Sequence, residues 1–170
     1  MTAGQIAPKR ETPILVLEPF EILMATRVGM QRHGASVHRA EQHGHDSKRS
    51  EADHVLGAMC EVVVCKYLNI YFDGSVNTFH KPDAINHDGT PLQVRGTKGT
   101  RLVFRKSDNP EEVFIAVSRL DQNSFIVQGW MKGMECMAAG LYEDPHERGA
   151  PAWFVSFDKL HAIPVLRGGW

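Results

Sequence analysis

Residues 55–65, Val-Leu-Gly-Ala-Met-Cys-Glu-Val-Val-Val-Cys, carry one charge, that of Glu61. Their apolar positions suit a largely buried helix. On such a helix the neighbours of Glu61 at three and four residues' distance are Gly57, Ala58, Val64 and Cys65, which leave the carboxylate in a small, poorly hydrated notch. Burying a charge there costs on the order of several kcal/mol unless a metal or a cation meets it. Whatever this chain folds into must therefore deliver a positive partner to Glu61.

A second constellation follows at Lys81-Pro82-Asp83 and Gln93-Val94-Arg95-Gly96-Thr97. Asp88-Gly89 between them is a strong turn signal, so two short strands are predicted. Leu92 and Val94 alternate with Gln93 and Arg95, which places the two polar side chains on one face of a half-buried strand. Asp83, on the neighbouring strand, is within reach of them.

The rest of the chain is read around these two stretches. Residues 1–12 are expected to be a flexible tail and residues 14–17 a short strand. Phe20, Ile22, Leu23, Met24, Val28 and Met30 recur with helical spacing over residues 18–31. Residues 32–50 are polar and contain His33, His38, His43 and His45; without cysteines or helical pairing of 43 with 45, they read as a mobile loop rather than a zinc site. Ser50 or Asp46 can cap the Glu61 helix, which runs to about Leu68.

Beyond that helix, residues 70–72 and 76–79, around Asp73-Gly74, suggest a strand or hairpin. Residues 101–105, 113–118, 125–131 and 153–156 read as strands. Residues 133–139 read as a short helix, 143–151 as a loop and 157–161 as a helical turn. A helix, then adjacent strands, then small helices predicts a single α+β (α/β) domain over residues 13–170, with a central mixed sheet flanked by helices.

The net charge of −1 argues neither for nor against a nucleic-acid partner, so only the distribution of charge can. Between Asp88 and Asp108 stand Arg95, Lys98, Arg101, Arg105 and Lys106 with no acidic residue, a stripe suited to a phosphate backbone. Cys60, Cys65 and Cys136 lack metal-finger spacing and read as reduced, buried thiols. Lys9, Arg10 and Glu11 precede any apolar stretch, and residues 13–17 are too few to cross a membrane. A soluble cytoplasmic protein is expected, with no membrane partner and no small-molecule cofactor; a homodimer stays open. No Gly-x-Ser-x-Gly elbow, Walker-type loop or His-Glu-x-x-His helix occurs.

A helical Glu, a Pro-Asp at a strand, roughly ten residues and then a triplet on the next strand resemble the layout of the PD-(D/E)XK nuclease superfamily, in a phage-type branch. Gly57-Ala58-Met59-Cys60-Glu61, Lys81-Pro82-Asp83 and Gln93-Val94-Arg95-Gly96-Thr97 carry the resemblance. Phe125-Ile126-Val127-Gln128-Gly129-Trp130 and Met134-Glu135-Cys136 extend it.

The resemblance implies a restriction-endonuclease-like fold, a DNA partner, and expression in a bacterial cytoplasm. It further implies an endo- or exodeoxyribonuclease in which Glu61, Asp83, Gln93 and the Val94 carbonyl hold Mg²⁺ or Mn²⁺ and Arg95 stabilises phosphate charge. Lys98, Arg101, Arg105 and Lys106 would be its DNA contacts.

The departure is that Gln93 and Arg95 stand where the superfamily has an acidic residue and a lysine. A glutamine brings no charge, so metal affinity weakens. An arginine binds phosphate bidentately but is no general base. Lys98 can replace the lysine only if a bulge at Gly96 turns it round. The alternative expectation is a degenerate member that binds nucleic acid without cutting, and a third is an assembly protein that reuses the fold. Within the Glu61 notch itself, the bland expectation is a salt bridge to Arg95.

Overall fold

Two consecutive, strongly apolar runs form the middle of the molecule. In the computed structural model, which describes residues 12–43, 50–76, 81–145 and 149–163, these are β5 (Val113–Arg119) and β6 (Ser124–Lys132). They pair antiparallel across a turn in which Asp121 accepts hydrogen bonds from the backbone N–H of Asn123 and Ser124. The edge strand β1 (Ile14–Val16) joins β6, and β3 (Pro91–Thr97) joins β5 in parallel. The two-residue β2 (Ala84–Ile85) pairs antiparallel with β3 and completes a mixed sheet of order β1-β6-β5-β3-β2.

A parallel pair needs a crossover. Here β4 (Arg101–Arg105) supplies it by leaving the main sheet for a second, antiparallel sheet with β8 (Ala152–Ser156) and β7 (Leu141–Glu143), in the order β4-β8-β7. The chain is thus one α+β domain of three layers. On one face of the main sheet lie α1 (Pro19–His43) and α2 (Glu51–Leu68), which bury Ala25, Val28, Val62 and Val63 against Leu92, Val94, Ile115 and Val127. On the other face the second sheet and α3 (Gly133–Ala139) enclose Leu102, Phe104, Phe114, Met131, Cys136 and Val155. Phe104 meets Phe114 edge to face, with ring centroids 5.1 Å apart. Among the described residues, no helix is long and apolar enough to cross a membrane.

Local signals account for the element boundaries. Ser50 and Asp53 form a capping box, Ser50 Oγ accepting from Asp53 N at 3.2 Å while Asp53 Oδ2 accepts from Ser50 N. Asp46, the other expected cap, lies outside the described residues. At the far end of α2, Asn69 takes the left-handed conformation, φ 56°, and its N–H bonds back to the last turn. Gly89, at φ 86°, makes the turn between β2 and β3 that Asp88-Gly89 predicts. The helix over residues 133–139 and the strands over 101–105, 113–119, 124–132 and 152–156 follow the sequence pattern closely.

Three expectations are corrected. The loop expected over residues 32–50 is helical as far as His43, where Arg32 and His33 at the start of the stretch meet α2. A Cβ on Gly29 would sit 2.4 Å from Val55 Cα, so the two backbones touch there, and one turn on the His33 and His54 rings lie 5.5 Å apart. The strand or hairpin expected at 70–72 is absent; Ile70 and Phe72 pack on the core without a strand partner. No bulge occurs at Gly96, since Gly96 and Thr97 keep register with Val117 and Ser118. The irregularity is on the other side of β5, between Ala116 and Val117, opposite Gly129 at φ 147°.

The expected tail, apart from Thr12, is outside the described residues, as are residues 77–80, the end of the expected hairpin. Cys60, Cys65 and Cys136 are buried and free, and burial pushes each thiol up to about 12, which leaves them unreactive.

Candidate functional site

Glu61 is where the helix α2 faces the beginning of β3, and it is 5 % exposed. Its positive partner is Arg32 of α1. Nη1 donates to Oε1 at 2.5 Å and Nη2 to Oε2 at 2.8 Å, while Nε donates to the Ser75 carbonyl at 2.9 Å. The guanidinium is thereby fixed in its plane on three sides. The salt bridge to Arg95 that the sequence suggested does not form.

Burial would lower the Arg32 pKa, but the hydrogen bonds and charge of Glu61, with the fields of Asp83 and Asp73, outweigh it and hold it above its ordinary value. Burial pushes Glu61 up, to about 7; Arg32 opposes this, and the charges of Asp83 and Asp73 add to it. Two further carboxylates therefore act on the same guanidinium.

Asp83 is positioned by the hairpin. Its N–H pairs with the Leu92 carbonyl, and its Oδ2 accepts from Val94 N at 2.7 Å. Asp83 and Glu61 line one cleft of about 510 Å³, bounded by α1, α2, the β2–β3 hairpin and the end of β4. Its walls carry five cationic side chains, Arg32, Arg39, Lys81, Arg95 and Arg105, against the three acids Asp53, Glu61 and Asp83.

The alternation along β3 decides what else reaches this cleft. Leu92 and Val94 point to the α2 face, and a Cβ on Gly96 would meet Cys60 Sγ at 2.8 Å. Gln93 and Arg95 therefore share a face, as the pattern predicts, but it is the face away from Glu61. Arg95 lies over the Phe114 ring, 5.0 Å from its centroid, and its Nη2 is 3.0 Å from Asp108 Oδ1. Its Nε is buried with no hydrogen-bond partner among the described residues. Asp108 is held by its own turn, with Oδ2 accepting from Arg105 N at 2.8 Å. Arg95 still borders the cleft, whereas Gln93 does not.

The basic stripe is divided in the same way. Arg95 and Arg105 border the cleft, but Lys98 is 3.6 Å from Asp53 Oδ1 at the rim. Arg101 pairs with Glu143 across the second sheet and stacks over Phe154 at 4.6 Å. Lys106 is exposed in the turn after β4. Arg32 and Arg39, within the segment that the sequence reads as a mobile loop, are cleft residues on one helix face; their spacing of seven, two helical turns, was the available signal. Lys48, Arg49, His45 and the side chain of His43 lie outside the described residues.

The expected metal set can be tested against this placement. Glu61, Asp83 and the backbone at Val94 come together, but both oxygens of Glu61 are engaged by Arg32, and Gln93 faces the other layer. A hard divalent ion wants about six oxygen ligands around one point. With both Glu61 oxygens held by a guanidinium and Gln93 turned away, the set as arranged does not fit Mg²⁺ or Mn²⁺. Among the described residues, no group of three or more His, Cys, Asp or Glu side chains is gathered for a metal. What the site offers chemically is charged hydrogen-bond donors in a partly enclosed cleft.

No protein-family model matches this chain, and no curated protein or solved structure matches it.

Proposed function

We propose that this chain is a nucleic-acid-binding protein of nuclease-like organisation, which grips the phosphates of DNA in the cleft and does not hydrolyse them with a metal. The supporting observation is the excess of arginine and lysine over carboxylate around the cleft, delivered by three separate parts of the chain: α1, the segment before β2, and β3–β4. Arginines present planar, bidentate donors that match phosphate oxygens, and a lined cleft positions them better than a surface patch. The order Glu61, Asp83, Gln93-Val94-Arg95 supports a relationship to the PD-(D/E)XK layout. Arg32 on Glu61 and the outward turn of Gln93 favour its non-cutting form. A DNA-binding role in a bacterial cytoplasm is consistent with that relationship.

The test is fluorescence anisotropy of labelled duplex and single-stranded oligonucleotides at 50–300 mM salt, roughly the range over which phosphate contacts dissolve, beside plasmid incubation in Mg²⁺, Mn²⁺ or EDTA. Salt-dependent binding with intact plasmid supports the reading. Cleavage that requires metal and disappears in Asp83→Ala would make the chain a nuclease instead. Absence of binding at low salt would leave the assembly role.

A further inference from the structure

We infer that Arg32 is the resident cation of the Glu61–Asp83 carboxylate site, occupying the position where the superfamily resemblance calls for a divalent metal, and that it keeps this site closed to metal. The inference rests on the proposed relationship to the PD-(D/E)XK layout and concerns the cation, not whether the cleft binds DNA.

Three observations carry it. Both oxygens of Glu61 are taken by one guanidinium, and the third face of that guanidinium is satisfied by the Ser75 carbonyl. All three acceptors are oxygen atoms, the kind of donor a hard divalent cation uses. Second, more than one carboxylate acts on Arg32: Glu61 directly, with Asp83 and Asp73 through their fields. Glu61 and Asp83 thus both favour a cation at the Arg32 position. Third, a carboxylate 5 % exposed among Val62, Val63, Val64 and Cys65 does not improve the packing of α2. Replacing a buried ion pair by apolar residues is often neutral or stabilising, so packing alone gives no reason for a glutamate here.

Arg32 reaches the site from α1, which is helical through this region only because it packs on α2. The closing cation is thus supplied by an element separate from those that carry the carboxylates. A guanidinium and a metal ion cannot share the position, since like charges at about 4 Å repel strongly in a low-dielectric notch. Removing the guanidinium takes one shared donor from Glu61 Oε1, Glu61 Oε2 and the Ser75 carbonyl, in the cleft that Asp83 also lines.

The experiment is titration with Mn²⁺ alone, read by the loss of the free-ion electron paramagnetic resonance signal, for the wild type, Arg32→Ala, Arg32→Gln and Arg32→Gln/Asp83→Asn. Circular dichroism monitors the fold. Arg32→Gln retains a donor for Glu61 and keeps the test open if Arg32→Ala does not fold. The expected result is at least tenfold tighter Mn²⁺ binding in the single variants than in the wild type, lost again when Asp83→Asn is added. A parallel rise of the thermal midpoint with Mn²⁺ is expected in Arg32→Gln and not in the wild type. Tight Mn²⁺ binding by the wild type that Glu61→Gln abolishes would overturn the inference. So would folded Arg32 variants that bind Mn²⁺ no better than the wild type. No nucleic acid is present, so neither result bears on the DNA-binding reading.

Discussion

Arg32 and Glu61 stand 29 residues apart in the chain and meet through two parallel hydrogen bonds of 2.5 and 2.8 Å, one from each terminal nitrogen of the guanidinium. This contact ties α1 to α2 in the wall of the cleft and neutralises the buried acid of α2. Its loss from either side has an asymmetric cost.

Truncating Arg32 to Ala leaves a buried carboxylate unpaired, and the expected loss of stability is about 3 kcal/mol. That is the lower end of the range for buried pairs, because the Arg32 side chain is 20 % exposed. The double variant Arg32→Met/Glu61→Leu removes both charges and should recover most of that loss. Urea denaturation of the wild type and the two variants checks this; a double variant as unstable as Arg32→Ala would mean that the pair itself, not the orphaned charge, is what matters.

Gly29→Ala and Gly96→Ala are expected to differ. In a helix interior, Gly→Ala normally stabilises by up to about 1 kcal/mol. At Gly29 the new Cβ would lie 2.4 Å from Val55 Cα, a backbone atom that cannot move aside, so α1 and α2 must separate. A net cost of about 2–3 kcal/mol follows. At Gly96 the nearest atom is Cys60 Sγ at 2.8 Å, a side chain at the α2–β3 contact that can shift in part, and about 1 kcal/mol is expected. Thermal unfolding of both variants checks the order.

For DNA binding, position in the fold matters more than position in the stripe. Arg39→Glu and Arg105→Glu, both at the cleft, should each weaken binding about tenfold and lower the salt slope by about 1. Arg101→Glu should leave affinity within about twofold, because Arg101 is spent on Glu143 and Phe154 in the second sheet. Equal losses at all three positions would argue for a diffuse basic surface in place of the cleft.

Glu135 gives a pH dependence with a definite sign. Burial would raise its pKa, but the Lys132 N–H it accepts at 2.9 Å and His161, whose Nε2 is 3.1 Å from Oε1, hold it below the usual carboxylate value. The folded state thus binds this proton less tightly than the unfolded chain. Its contribution is fully present above the unfolded value of about 4.3 and is lost as pH falls through the lower folded value. Thermal midpoints from pH 6 to pH 3 should therefore fall more steeply for the wild type than for Glu135→Gln. Identical acid limbs would show that Glu135 is not part of the acid sensitivity.

Much of the architecture was legible because the interactions that set it are local. The Ser50–Asp53 box acts over three residues, the Asp88-Gly89 turn over four, and strand alternation over two. These distances are short enough to be printed in the sequence as spacing. The same is true of the shared face of Gln93 and Arg95, which period two requires, and of the burial of Glu61, which its apolar neighbours require.

What tertiary structure alone decided is which surfaces meet. The alternation along β3 separates an apolar face from a polar one but does not say which layer covers each, and that choice separates Gln93 and Arg95 from Glu61. The helix beyond Gln31 owes its form to contact with α2, so its polar sequence resembles a loop until α2 is in place. The amino-acid sequence by itself determined that Glu61 would be buried and would need a cation. The packing of α1 on α2 decided that the cation is Arg32, because an ion pair spanning 29 residues depends on how two helices cross and leaves no periodic trace along the chain.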